Sequence, residues 1–169
     1  MRCKQFEFSR IDTTTAESTF EGFLSNVRLG VKGFLERYTQ LEKGEKADIL
    51  SLSSPNEILK ALFEEFMKHP IYLLIDEYDH FANEILAFDF DHFSEFVSRN
   101  GFVRKFYEAI KEAAGRGIVD RLFATGVTPI TLDNLTSGFN IASNLSTHHY
   151  FHEMMGFTTK ENFSLESPA

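Results

Sequence analysis

The most informative segment of the sequence is Ile71-Tyr72-Leu73-Leu74-Ile75-Asp76-Glu77. Its first five residues are all apolar, without the alternation that a half-exposed strand shows. This pattern is typical of a strand that is covered on both faces of a parallel sheet. Two acidic residues follow at the point where the strand would end. The stretch therefore predicts a buried strand that brings two carboxylates to one edge of a parallel sheet.

The sequence on either side alternates between strand and helix patterns. Short apolar or alternating runs indicate strands, and apolar residues three and four apart indicate helices. The predicted elements are strands over residues 4–9 and 121–125, helices over about 16–38 and 102–115, and a solvated loop over 42–46. Ser54, Pro55 and Glu57 predict a further helix that begins with a capping box. Alternating strands and helices predict an α/β fold.

The composition is that of a globular domain. The chain has 169 residues, of which 43% are hydrophobic and 25% charged, so it is long enough to bury a core and too apolar for a disordered chain. Its 19 Phe residues need to be buried, because exposed apolar surface favours association. We therefore expect self-association or a protein partner wherever apolar surface stays uncovered.

The charge and the cysteine content exclude several classes of function. With 17 basic and 25 acidic residues the net charge is −8, which disfavours direct binding to nucleic acids and to anionic membranes. Cys3 is the one cysteine, so no internal disulfide is possible. No apolar run approaches the roughly 20 residues of a membrane helix, and the N-terminus lacks the apolar core of a signal peptide. The expected location is the cytoplasm.

Two predicted strand ends carry candidate site residues. A hydrophobic strand that ends in Asp-Glu is the Walker B pattern, in which Asp76 would hold Mg²⁺ beside a triphosphate and Glu77 would orient or deprotonate the attacking water. The second candidate strand ends in Thr125-Gly126, where the hydroxyl could lie beside the same metal. Simpler alternatives stay open, because buried strands commonly end in solvated acids or in a Thr-Gly turn.

Together these stretches resemble the AAA-ATPase-like proteins, a bacterial and archaeal group of P-loop ATPases. The matching segments are residues 73–79, 104–107, 125–129, 137–140 and 156–158. The resemblance implies a three-layer P-loop-type core with a parallel sheet, and Mg²⁺ and ATP as ligands of the intact domain. It also implies that Asp76 is the Mg²⁺ ligand, that Glu77 is the catalytic base and that Thr125 is a sensor on the neighbouring strand. Asp79 is similar to a second acid of the family motif.

One family feature is missing from the sequence. None of the ten glycines is followed by Lys and then Ser or Thr, so the phosphate-binding loop that the resemblance implies is not found in these residues. We expect a single partial domain that lacks the first strand and this loop, with a core over 1–147 and the start of a helical extension over 148–169. Family members often continue into a PD-(D/E)xK nuclease-like domain, to which nothing here corresponds.

Three functions remain open from the sequence. The first is the Walker B half of an ATPase, which binds ATP if the phosphate loop is supplied and does not hydrolyse it alone. The second is a truncated remnant or an interaction module that does not bind ATP. The third is a metal-binding protein, since His148 and His152 would share a helical face and could bind Zn²⁺, although polar surface residues are the simpler interpretation.

Overall fold

The computed structural model describes residues 2–88, 101–127, 143, 145, 148 and 149. Within this part of the chain there are three strands and five helices, and helices separate the strands as the sequence predicts. In chain order they are β1 (Arg2–Glu7), α1 (Ala16–Tyr38), α2 (Lys43–Ser51), α3 (Pro55–Glu65), β2 (Ile71–Asp76), α4 (His80–Phe88), α5 (Phe102–Gly115) and β3 (Val119–Ala124). The predicted α/β class is confirmed.

The three strands form one parallel sheet with β2 in the centre. The order is β1-β2-β3, and both pairings are parallel. Glu7 lies opposite Asp76 in the register, and Ile75 lies opposite Ala124. All three strands therefore end level, and the residues that follow them meet at one edge of the sheet.

One face of the sheet carries the main core. α1 packs on β1 and α3, while α5 packs on α3 and β3. Aromatic rings fill the space between the sheet and these helices: Phe8 stacks on Phe23 with centroids 4.5 Å apart, and Phe106 meets Phe23 edge-on at 5.1 Å. Such pairs add about 0.5–1.5 kcal/mol to the stabilisation from their burial. The high Phe content is thus partly explained by this cluster.

The opposite face of the sheet is less covered. Ile71, Leu73 and Ile75 are buried on the helix-packed face, whereas Tyr72 and Leu74 alternate with them and are half-buried. On β3, Phe123 remains 51% exposed. The prediction of a strand covered on both faces is therefore fulfilled on one face of β2 and only in part on the other.

The helices differ in how well the sequence predicts them. The bounds of α1 agree with the prediction, and its start is fixed by a capping box between Thr15 and Ser18. The prediction of a loop over residues 42–46 is wrong, because α2 begins at Lys43. No residue of α2 is buried, so the helix has no apolar stripe to reveal it. Its start is instead held by Glu45, whose carboxylate accepts the Glu42 N–H at 2.7 Å.

The start of α3 differs from the prediction in its capping bond. Ser54 is the N-cap residue and Pro55 occupies the first turn, but the Ser54 side chain makes no capping hydrogen bond. The predicted capping box is therefore wrong. Apolar packing stabilises this turn instead, since Pro55, Ile58 and Leu59 are all buried.

Candidate functional site

The ends of β2 and β3 bring two of the predicted site residues together. The Thr125 hydroxyl donates a hydrogen bond to Oδ1 of Asp76. The Thr125 N–H donates to the carbonyl of Ile75 at 2.9 Å, which continues the parallel ladder one residue beyond β3. Both side chains are half-buried. The level ends of neighbouring parallel strands are the reason that residues 49 positions apart in the chain make this bond.

Glu77, the third predicted site residue, has an unusual backbone conformation. Its φ is +49°, in the left-handed region that residues with a Cβ rarely adopt. Its carboxylate points toward α4, where Oε2 lies 3.6 Å from Nδ1 of His80. Nearly half of the Glu77 side chain is exposed (47%). Strained backbone of this kind is concentrated at functional sites, and this residue combines it with a solvent-accessible carboxylate.

Asp79 is fully buried beneath the same strand ends. The N–H of Val127 lies 3.1 Å from Oδ1 and 3.0 Å from Oδ2 of Asp79, and Nδ2 of Asn83 donates to Oδ2 at 2.9 Å. Buried carboxylates are costly unless they are hydrogen-bonded in this way. The sequence indicates Asp79 as a second acid without a role, and the structure places it between the start of α4 and the turn after β3.

Gly126 makes the close packing of this turn possible. A Cβ on Gly126 would lie 2.7 Å from Cδ1 of Tyr78 and would also overlap Oδ1 of Asp79. The N–H of Tyr78 donates to the carbonyl of Thr125 at 3.0 Å. The segments 76–79 and 125–127 are therefore joined by main-chain and side-chain bonds. The strand ends before Thr125-Gly126 as the sequence predicts, but the need for glycine arises from a tertiary contact that local sequence does not show.

Two neighbours of the site, His80 and Tyr107, are not predicted from the sequence to lie there. His80 lies between two carboxylates, with Nε2 3.5 Å from Oε1 of Glu84 on the side away from Glu77. The spacing of His80 and Glu84 by four residues on a helix is the sequence signal that could have revealed this pair. Tyr107 is buried near the site. Burial raises the pKa of its hydroxyl, and electrostatic interaction with Tyr78 and Asp79 raises this pKa further.

The chemistry of the donor atoms fits a hard divalent cation. A carboxylate oxygen of Asp76 and the hydroxyl of Thr125 are oxygen ligands of the kind that Mg²⁺ prefers, and Mg²⁺ at nucleotide sites takes few protein ligands besides water and phosphate oxygens. In the described part of the chain, no group of three or more His, Cys, Asp or Glu residues is suited to hold a metal by itself.

The zinc hypothesis concerns another part of the chain. The rings of His148 and His149 are stacked with centroids 4.8 Å apart, and both residues are exposed. His152, the second predicted ligand, lies outside the described residues. Zinc binding therefore stays a prediction.

Comparison with known protein families shows the family to which the chain belongs. The model of a family described as predicted AAA-ATPase matches residues 3–136. The chain belongs to this AAA-ATPase-like family. The match spans both strand ends of the site and all three strands except Arg2 at the start of β1, and the resemblance stated above is confirmed. No curated protein and no solved structure matches this AAA-ATPase-like chain. Within its described residues, no helix is both long enough and apolar enough to cross a membrane.

Proposed function

We propose that this chain carries the metal-binding and water-activating half of an ATP-hydrolysing site. The observation that carries the proposal is the hydrogen bond between Thr125 and Asp76 at the level ends of two neighbouring parallel strands. Ligands of open parallel sheets bind beyond the carboxyl ends of the strands. Membership of a family of predicted AAA-ATPases supports ATP as the ligand and Mg²⁺ as its companion ion.

Each residue has a separate role in this proposal. Asp76 would hold Mg²⁺, which when bound offsets the negative charge of the phosphates. Glu77 accepts a proton from the attacking water as the water oxygen bonds to the γ-phosphorus and the bond to the leaving ADP oxygen breaks. Thr125 donates its hydroxyl proton to Asp76, which keeps one carboxylate oxygen oriented. When ATP is bound, the hydroxyl oxygen can accept a hydrogen bond from the water while this bond lasts, or the proton can turn from Asp76 to the γ-phosphate.

Triphosphate binding needs a part that these 169 residues do not contain. Backbone N–H groups of a glycine-rich loop and its lysine supply most of the affinity for phosphates, and no Gly-Lys-Ser or Gly-Lys-Thr occurs in the sequence. The proposed activity therefore requires a phosphate loop from a segment outside these residues or from another chain. The missing loop is also the observation that favours the second candidate function, a module that keeps the fold without ATP.

Turnover and trapping of ATP test the proposal. The chain is joined to a strand, a phosphate loop and a helix from a complete member of the family, and ATP hydrolysis is measured with and without Glu77→Gln. Removing a general base typically costs about 10²–10⁴-fold, so we expect kcat to fall by this factor while ATP stays bound. Glu21→Gln, an exposed substitution in α1, is the matched control and should leave turnover unchanged.

Two outcomes would contradict the proposal. Undiminished hydrolysis in the Glu77→Gln protein would remove Glu77 from the mechanism. Complete lack of Mg-ATP binding after the loop is supplied would favour the interaction module.

A thermal-shift experiment tests whether the phosphate loop is needed. For the 169-residue chain alone, we expect no thermal shift with Mg-ATP, and a shift as large as that of an intact ATPase would show that the loop is not needed.

A further inference from the structure

The buried carboxylate of Asp79 joins two segments that carry the proposed site residues. Asp79 is fully buried, yet both of its oxygens face the N–H of Val127, at 3.1 and 3.0 Å. Its own carbonyl accepts the N–H of Asn83 at 2.8 Å, which fixes the residue at the start of α4. The carboxylate therefore connects the first turn of α4 to the turn after β3.

The turn after β3 has little freedom while this connection is made. Thr125 donates its N–H to Ile75 and accepts the N–H of Tyr78 through its carbonyl. Gly126 lies so close to Tyr78 and Asp79 that it leaves no room for a Cβ. Val127 is 83% exposed, so its side chain contributes little to holding the turn, and its N–H is held by Asp79. The position of the Thr125 hydroxyl follows from this backbone.

The same connection constrains Glu77. Its neighbour Asp76 is bonded to Thr125, and its neighbour Tyr78 donates to the carbonyl of Thr125. A residue held on both sides in this way can be kept in the left-handed conformation observed for Glu77, which otherwise costs about 1–2 kcal/mol. Both restraints end on Thr125, so release of the segment after β3 would weaken both.

We propose that Asp79 is a positioning residue of this site. Its carboxylate holds the turn after β3, and through that turn it keeps the Thr125 hydroxyl on Asp76 and Glu77 in its left-handed conformation. The inference rests on the proposed function for its catalytic meaning, because Asp79 is fully buried and acts through Thr125 and Glu77. The geometric part concerns only the residues of this chain and can be tested without nucleotide.

Amide hydrogen exchange of the 169-residue chain, followed residue by residue by NMR, tests the coupling. The informative amides are those of Thr125 and Tyr78, since their acceptors are Ile75 and Thr125 rather than Asp79. In Asp79→Ala we expect both to exchange more than tenfold faster than in the wild type, after correction for the change in global stability. Asp79→Asn keeps one acceptor oxygen and should show a smaller acceleration, which is the rescue expected of a positioning role.

Several controls separate positioning from general destabilisation. Amides of Val31 in α1 and Leu62 in α3 report global unfolding and should follow the measured free energy of unfolding alone. Asp120→Asn, an exposed charge removal on β3, should leave Thr125 and Tyr78 unchanged. If Asp79→Ala does not fold, Asp79→Asn carries the comparison, with an expected acceleration of at least threefold at the same two amides.

The proposal is overturned if these two amides accelerate no more than those of Val31 and Leu62 in the variants that fold. This result is independent of ATP turnover. Lack of ATP hydrolysis, even after a phosphate loop is supplied, would contradict the proposed function. The exchange experiment would still decide whether Asp79 holds the segment that contains Thr125. Conversely, if the protein hydrolyses ATP and the Asp79 variants exchange the Thr125 and Tyr78 amides as the wild type does, only the positioning role of Asp79 is wrong.

Discussion

At the scale of single residues, Glu77 carries a conflict between conformation and chemistry. Its φ of +49° favours glycine, while the proposed reaction needs a carboxylate at this position. We therefore expect Glu77→Gly to be more stable than Glu77→Ala by about 1 kcal/mol, because glycine adopts the left-handed region without a Cβ penalty. Urea unfolding of the two variants measures this difference. Neither variant should support ATP turnover when a phosphate loop is supplied.

The control for this prediction is a helical position at which the Ala variant, rather than the Gly variant, is expected to be more stable. Glu21 is exposed in the second turn of α1, inside the helix, where alanine is favoured over glycine by about 1 kcal/mol. Glu21→Ala should therefore be more stable than Glu21→Gly. If the Ala–Gly order at position 77 is the same as at position 21, the left-handed conformation of Glu77 is not populated in solution, and the argument for stored strain at the site is wrong.

The placement of Asp76 and Thr125, as distinct from their proposed roles, was predictable from the sequence. Asp76 and Thr125 each end an apolar strand run, and the level register brings them into contact. The position of Glu77 also follows from the strand end, but its left-handed backbone does not, since nothing local favours it. The role of Asp79 depends on a partner 48 positions away, which no local pattern identifies.

At the scale of elements, two glycines of α1 that lie three residues apart are expected to respond to alanine substitution with opposite changes in stability. Gly33 is exposed and a Cβ there meets nothing within 4 Å. A Cβ on Gly30 would lie 2.8 Å from Nζ of Lys4 and 3.0 Å from Cδ1 of Phe6. We expect Gly33→Ala to stabilise the chain by about 1 kcal/mol through helix propensity. Gly30→Ala should destabilise it by about 1–2 kcal/mol, because overpacking against β1 outweighs the same gain.

Thermal or urea unfolding of the two variants decides this point, since both remove one glycine from one helix. An equal gain at both positions would mean that Lys4 and Phe6 move aside without cost.

The helix α1 was predictable from the sequence because its apolar residues follow helical spacing strongly enough to outweigh its three glycines. α2 has no buried residue and therefore no such face, and this is why the sequence predicted a loop there.

At the scale of the whole molecule, the main core contains a buried amine. Lys4 lies on the same face of the sheet as Phe6 in β1 and Phe8 just after it, because alternate residues of a strand share a face. The alternation that predicts the strand therefore also turns Lys4 toward the helices. It is 5% exposed, donates to the carbonyl of Gln5, and its Nζ lies 4.3 Å from the centroid of the Phe6 ring. Composition and net charge do not reveal such a group, because only the strand phase places it inside.

This burial makes the stability of the whole chain depend on pH. Desolvation lowers the pKa of Lys4 from 10.5 to about 8, so the unfolded chain holds this proton up to a higher pH than the folded chain. Below about pH 8 both states are protonated and the full penalty, about 3 kcal/mol at about 1.4 kcal/mol per pKa unit, opposes folding. Between pH 8 and 10.5 the unfolded state binds more protons, and the Lys4 contribution to the free energy of unfolding therefore rises with pH.

Lys4→Met isolates this contribution, because methionine keeps an unbranched apolar chain and has no charge. We expect Lys4→Met to be more stable than the wild type by up to about 3 kcal/mol at pH 7, and the advantage should shrink as the pH rises from 8 to 10.5. Urea unfolding at several pH values measures it, with Lys32→Met, an exposed lysine of α1, as the control that should show no such trend. A stability difference that stays constant across this window would mean that Lys4 keeps its ordinary pKa, which requires that water reaches its amine through the packing of α1 on β1.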